Sequence, residues 1–154
     1  FPPLLRLLGF DVAPLDGGPT LMTEPAPLPS GLPSGSAQIR AFVPAKDFAR
    51  SRAFYERIGF SVATANAEVV VFHHGEQAFI LQNFHHPDWA ANFMMQLMVE
   101  DMDGWWAHLE GLDLPGAFGV PALRAPAMQP WGLKVGYLVD PSGVLWHVAQ
   151  HPRG

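Results

Sequence analysis

The sequence predicts an α+β fold made of two β-α-β-β-β units in tandem, and three observations predict it. Apolar residues alternate along short runs, the mark of half-buried strands, around two helical patterns. The register that lays Asp47 on Asp101 also lays Ala53 on Ala107, Glu56 on Glu110 and Ile58 on Leu112, so cap, helix phase and stop repeat together. An Asp-Pro-x-Gly turn (Asp140, Pro141, Ser142, Gly143) then feeds a last strand of Val144, Leu145, Trp146, His147, Val148 and Ala149.

The chain begins with FPPLLRLLGF, an apolar run broken by Arg6 and too short to span a bilayer. It lacks the cationic start and small-residue cleavage site of a secretory signal. Residues 11–36 are crowded with Pro and Gly, so 1–36 is expected to be a flexible N-terminal extension with the biological start at Met22. From Gln38 the pattern changes. Ile39, Ala41, Val43 and Ala45 alternate with Arg40, Phe42 and Pro44, a strand in which the proline belongs near an edge or an end. Asp47 caps a helix over Phe48–Ile58 that buries Phe54, Tyr55 and Ile58, and Gly59 stops it. Phe60–Ala63, Glu68–His73 and Gln77–Phe84 read as strands, the last two joined at His74-Gly75-Glu76.

That first module covers about 38–84, and a second covers about 93–150 within one domain at 37–151. In the second, Phe93–Val99 is a strand, Asp101 a cap, Met102–Leu109 a helix and Gly111 its stop. Pro121–Arg124, Lys134–Val139 and Val144–Gln150 close it as strands.

With 49% hydrophobic and 15% charged residues, 154 residues suffice for one domain with a genuine core. The absence of cysteine excludes disulfides, thiolate metal sites and cysteine nucleophiles, leaving chemistry to His, carboxylates, amides and hydroxyls. A net charge of −5 gives no basic footprint, so neither nucleic acid nor a membrane is an expected partner and the cytoplasm is the expected compartment.

Four segments in order carry a resemblance: VPAKDFARSRAFYERIGF (43–60), FHHPDW (84–89), APAMQPWG (125–132) and YLVDPSG (137–143). Their Pro-x-x-Asp-Phe turn, Ala-Phe-Tyr-Glu-Arg helix, Phe-x-His-Pro loop and Gln-x-Trp-Gly loop resemble the bleomycin-resistance branch of the glyoxalase, bleomycin resistance and extradiol dioxygenase (vicinal-oxygen-chelate) superfamily. The resemblance implies a curved mixed sheet with a concave cleft. It also implies a homodimer that shares a groove, and sequestration of a small aromatic ligand such as bleomycin, cationic tails included, without altering it. A drug-resistance protein without cofactor, rather than an enzyme, is therefore expected.

Metal-using members of that superfamily draw ligands from strand positions that fall here on Arg40, Gln82, Met94 and His147. A guanidinium, an amide, a thioether and one imidazole do not suit a divalent ion. A shift of the alignment brings in Gln96, Asn83 or Ala41, which supply no better set, and the remaining alternative is coordination from loops by His85 and His86. His147 thus reads either as a cleft wall that hydrogen-bonds a ligand or as a packed histidine satisfied by a neighbour. The expected ligand-binding residues are Trp131, Phe42, Phe84, His86, Trp89, Met94, Met98, Tyr137 and His147, with Asp88, Glu100 and Asp103 as carboxylates for a cation. Trp131 leads because a large ring in a Pro-rich loop has no evident helix or strand to pack on. Of Trp105 and Trp106, one is expected in the core and the other at an oligomer contact. The competing readings are a metal-dependent lyase or dioxygenase and a non-catalytic small-molecule sensor on the same fold, since fold does not settle function.

Overall fold

The computed structural model describes residues 37–152. The expected extension over 1–36, with its start at Met22, lies outside the described residues. Asp47 takes extended backbone and its carboxylate accepts the Arg50 N–H at 3.0 Å, so helix α1 runs over Phe48–Ile58. Gly59 ends it at φ 120°, where an L side chain is strained, and donates to the carbonyls of Tyr55 and Glu56.

Strand β1 is shorter than the alternation implies, covering only Phe42–Pro44. It pairs in parallel with Ile80, Leu81 and Gln82, while Ile39 stands 100% exposed. β2 (Ser61–Ala65), β3 (Val69–His74) and β4 (Gln77–Gln82) complete a sheet in the order β1-β4-β3-β2. A short helix α2 (Pro87–Ala90), which the sequence reading lacked, leads to the second unit.

The second unit repeats the first. β5 is Met94–Met98, Asp101 accepts the Gly104 N–H at 2.9 Å, and α3 runs over Met102–Gly111. Gly111 is not the expected stop. The helix includes it as its last residue and is capped by Leu112, and the left-handed residue comes two positions later at Asp113, φ 48°. Asp113 in turn caps α4, Leu114–Phe118, which the sequence reading also lacked. β6 lies at Arg124–Met128 rather than Pro121–Arg124, with a break in register between Arg124 and Ala127. β7 (Lys134–Val139) and β8 (Leu145–Gln150) give the order β5-β8-β7-β6, the same topology as the first sheet.

One core joins the units. Phe54, Tyr55, Phe72 and Phe79 from the first meet Trp106, Leu138, Trp146 and Val148 from the second. Trp106 is the buried member of its pair, and Trp105 lies part-buried with its ring edge-on to His74 at 5.4 Å. At the centre of this core lies a polar chain. Tyr55 Oη donates to Asp140 Oδ2 at 2.6 Å, Trp146 Nε1 donates to Tyr55 Oη at 3.0 Å, and Asp140 Oδ1 accepts the Ser142 and Val144 N–H groups at 2.8 Å each. Ser142 Oγ extends it to Ser51 Oγ at 3.1 Å and to the Lys46 N–H at 2.9 Å. Burial pushes the Asp140 carboxyl above its ordinary range despite these donors, and burial together with the Asp140 charge pushes the Tyr55 phenol well above its own. Helix α1 is thereby tied to the turn before β8, which fixes one sheet relative to the other. Among the described residues no helix is long and apolar enough to cross a membrane.

Candidate functional site

Directly paired residues in a sheet point to the same face. In the second sheet, Met95, Leu97, Gly136, Leu138, Trp146 and Val148 share the face under the core and α3. The alternate residues form the open face in three rows, in which Ala149 and Val135 alone are fully buried. Met94, Leu145 and Val139 make one apolar row, and Met98, Ala149, Val135 and Ala127 make another. Between them runs Gln96, His147, Tyr137 and Arg124. The rings of Tyr137 and His147 meet edge to face with centroids 4.8 Å apart. At the Arg124 end, a cavity of about 380 Å³ is lined by Arg124, Tyr137, Val139, Leu145, Pro121 and Ala122, within the size range of small-molecule sites. The first sheet has an open face too, with Phe42, Ile80 and Val71 in one row and Gln82 and Val69 in the next.

The expected ligand-binding residues divide accordingly. Met94, Met98, Tyr137 and His147 come together on the open face of the second sheet, and Phe42 lies on that of the first. Exposures of 53% for Phe42 and 59% for Met94 leave apolar surface unused by the chain's own packing. Trp131 is the third residue of a β-turn closed by the Gly132 N–H on the Gln129 carbonyl at 2.9 Å, with Pro130 before it and Gly132 at φ 89°. The turn holds the indole 58% exposed at the tip of the β6–β7 hairpin, beyond the Met98 end of the sheet. Phe84, His86 and Trp89 lie on the connection between the units, where His86 and Trp89 stack at 4.5 Å and His86 Nδ1 is buried without a hydrogen-bond partner among the described residues.

Two expectations require correction. Asp103 does not face the open side: its carboxylate lies 3.4 Å from Lys134 Nζ, and Lys134 pairs with Gln150 on the face that α3 covers. The strand partner of His147 is Gln96, whereas Met94 pairs with Leu145; Arg40 lies outside β1 and bonds Gln38, and Gln82 is opposite Pro44. Those residues do not fit a metal: imidazole faces amide on one sheet, and amide faces proline on the other. Among the described residues no three His, Asp or Glu converge as ligands would. Gln96 entered the sequence reading only as a register shift and Arg124 only as the end of an expected strand. The available signal for Gln96 was its place as the lone polar residue in the strand MMQLM.

The model of the Glyoxalase/Bleomycin resistance protein/Dioxygenase superfamily matches residues 37–148. A bleomycin resistance protein from Klebsiella pneumoniae is 30% identical over 113 residues, which cover 71% of this chain and 88% of that protein. A bleomycin-binding protein solved in complex with bleomycin superposes with TM-score 0.66 at 27% identity, over 76% of this chain and 100% of its own. A bleomycin resistance determinant encoded on transposon Tn5 gives TM-score 0.64 at 25% identity, over 77% of this chain and 100% of its own.

Proposed function

Because the chain belongs to the Glyoxalase/Bleomycin resistance protein/Dioxygenase superfamily, we propose that it is a metal-independent binding protein that sequesters a small aromatic antibiotic, such as bleomycin, and so confers resistance. The observation that carries this reading is the open face of the second sheet, where thioethers, aliphatic groups and an aromatic pair surround the polar row, with no ligand set for a metal among the described residues. Such a surface stacks a planar heterocycle and holds it. Its work is taken to be cytoplasmic.

The exposed Phe42 on one sheet and Met94 and Met98 on the other support a homodimer in which the open faces of two copies enclose the ligand, together with Trp131, Phe84, His86, Trp89, Tyr137 and His147. Light scattering at micromolar protein should then give twice the chain mass. A monomer at that concentration would sink the shared groove.

Titration with metal-free bleomycin should quench tryptophan fluorescence saturably, and excess EDTA should leave the curve unchanged. In Trp131→Ala the melting temperature should hold while binding weakens by about 1 to 3 kcal/mol, the scale of one stacked aromatic. Loss of binding with EDTA would restore the metal-dependent reading, and unchanged binding in the variant would remove the β6–β7 turn from the site.

A further inference from the structure

The middle row of the second sheet is polar from edge to edge. Gln96, His147, Tyr137 and Arg124 stand opposite one another on β5, β8, β7 and β6. Among the described residues, the ion pairs are Arg52 with Glu56 and Lys134 with Asp103, which leaves the Arg124 guanidinium unpaired. No hydrogen bond within the described residues uses the Gln96 amide, the His147 ring or the Tyr137 hydroxyl either. All four side chains can donate, and a guanidinium can do nothing else. The flanking rows hold Met94, Leu145, Val139, Met98, Ala149, Val135 and Ala127, so none of the residues paired in these three rows is a carboxylate. Apolar rows on both sides lower the local dielectric, which strengthens attraction to an anion and repulsion of a cation.

We propose that this row determines specificity, and that it selects a planar aromatic ligand bearing a carboxylate or similar anionic group over the aromatic cation that the sequence resemblance implies. The anion lies at Arg124, and the ring lies in the adjoining cavity against Tyr137, Val139 and Leu145. Arg124 is suited to this because its fork engages a carboxylate bidentately. The inference rests on the reading of this face as the binding face.

The test is calorimetric titration of the full chain with 2-naphthoate, 2-naphthamide and 2-naphthylmethylammonium at low salt, with bleomycin in parallel. Naphthoate should bind about tenfold tighter than the amide, the ratio one charge-assisted contact supplies, and the ammonium weakest. Arg124→Gln should bring the naphthoate-to-amide ratio below roughly threefold, and Arg124→Lys should keep part of it as a point charge without the fork. Equal affinities in the wild type, no saturable naphthoate binding, or an Arg124→Gln variant that weakens all three alike would overturn the proposal. Bleomycin bound without anion preference would remove the row's role alone. Anion preference without bleomycin binding would remove the antibiotic alone.

Discussion

Asp140→Ala is expected to lower the unfolding free energy by about 3 to 5 kcal/mol, the range for breaking a buried hydrogen-bonded network around a carboxylate. The substitution strips acceptors from the Ser142 and Val144 N–H groups and from the Tyr55 hydroxyl, all within the core. Asp140→Asn should cost less, about 1 to 2 kcal/mol, since its carbonyl oxygen still accepts both N–H groups and only the Tyr55 proton is left without an acceptor. Urea denaturation of the three proteins measures the order. If Asp140→Ala fell within about 1 kcal/mol of the wild type, the chain from Ser51 to Trp146 would not be what couples the two units.

The same pair of proteins separates the charge from the geometry. Burial raises the Asp140 carboxyl in the folded state, so between the ordinary aspartate range and that raised value the folded chain binds more protons than the unfolded one. In that window stability contributed by this group falls as pH rises: it is fully present below the unfolded value and is lost through the folded one. The stability of wild type relative to Asp140→Asn should therefore increase on acidification across the window, against the usual trend for carboxylates. A difference that is flat or falls on acidification would show that the donors on Asp140 outweigh its burial.

That network marks where sequence reading ends. The bounds of α1 were legible because both signals are local: a carboxylate three residues before the N–H it caps, and a glycine at φ 120°. Tyr55 and Asp140, by contrast, read separately as a core ring and a turn former, and nothing in their surroundings announces a bond between residues 85 positions apart. The site shows the same division. Met94, Met98, Tyr137 and His147 follow from alternation along single strands. The row that adds Gln96 and Arg124 exists only through pairing between strands, and at β6 the break in register between Arg124 and Ala127 disguises even the alternation. Gly111 misled for the opposite reason: a glycine near a helix end ordinarily stops it, but here the left-handed turn is taken by Asp113, whose carboxylate also caps the next helix through the Gly116 N–H.

Gly136→Val is expected to cost about 3 kcal/mol, the upper part of the range for overpacking a core. Gly136 lies in β7, and an added Cβ would fall 2.4 Å from Cζ3 of Trp106, closer than any side chain tolerates. The indole cannot simply retreat, because Trp106 is buried on α3 and its Nε1 donates to Glu110 at 3.1 Å. The gain from a less flexible unfolded chain offsets only about 0.4 to 1 kcal/mol of this. Trp106→Leu alone should cost about 3 kcal/mol through the cavity it leaves. The double variant should recover about 1 to 2 kcal/mol relative to additivity, since valine then occupies part of the vacated space. Strict additivity in urea titrations would mean that the valine does not press on the indole. Pressure on the indole has its own consequence on the other side of the sheet: Tyr137 follows Gly136 in β7, so a displaced strand carries Tyr137 away from His147 and opens the middle row. Ligand affinity of the folded Gly136→Val protein should then fall with Trp106 present and return when Trp106→Leu relieves the strand, which ties the small residue under α3 to the geometry of the binding face.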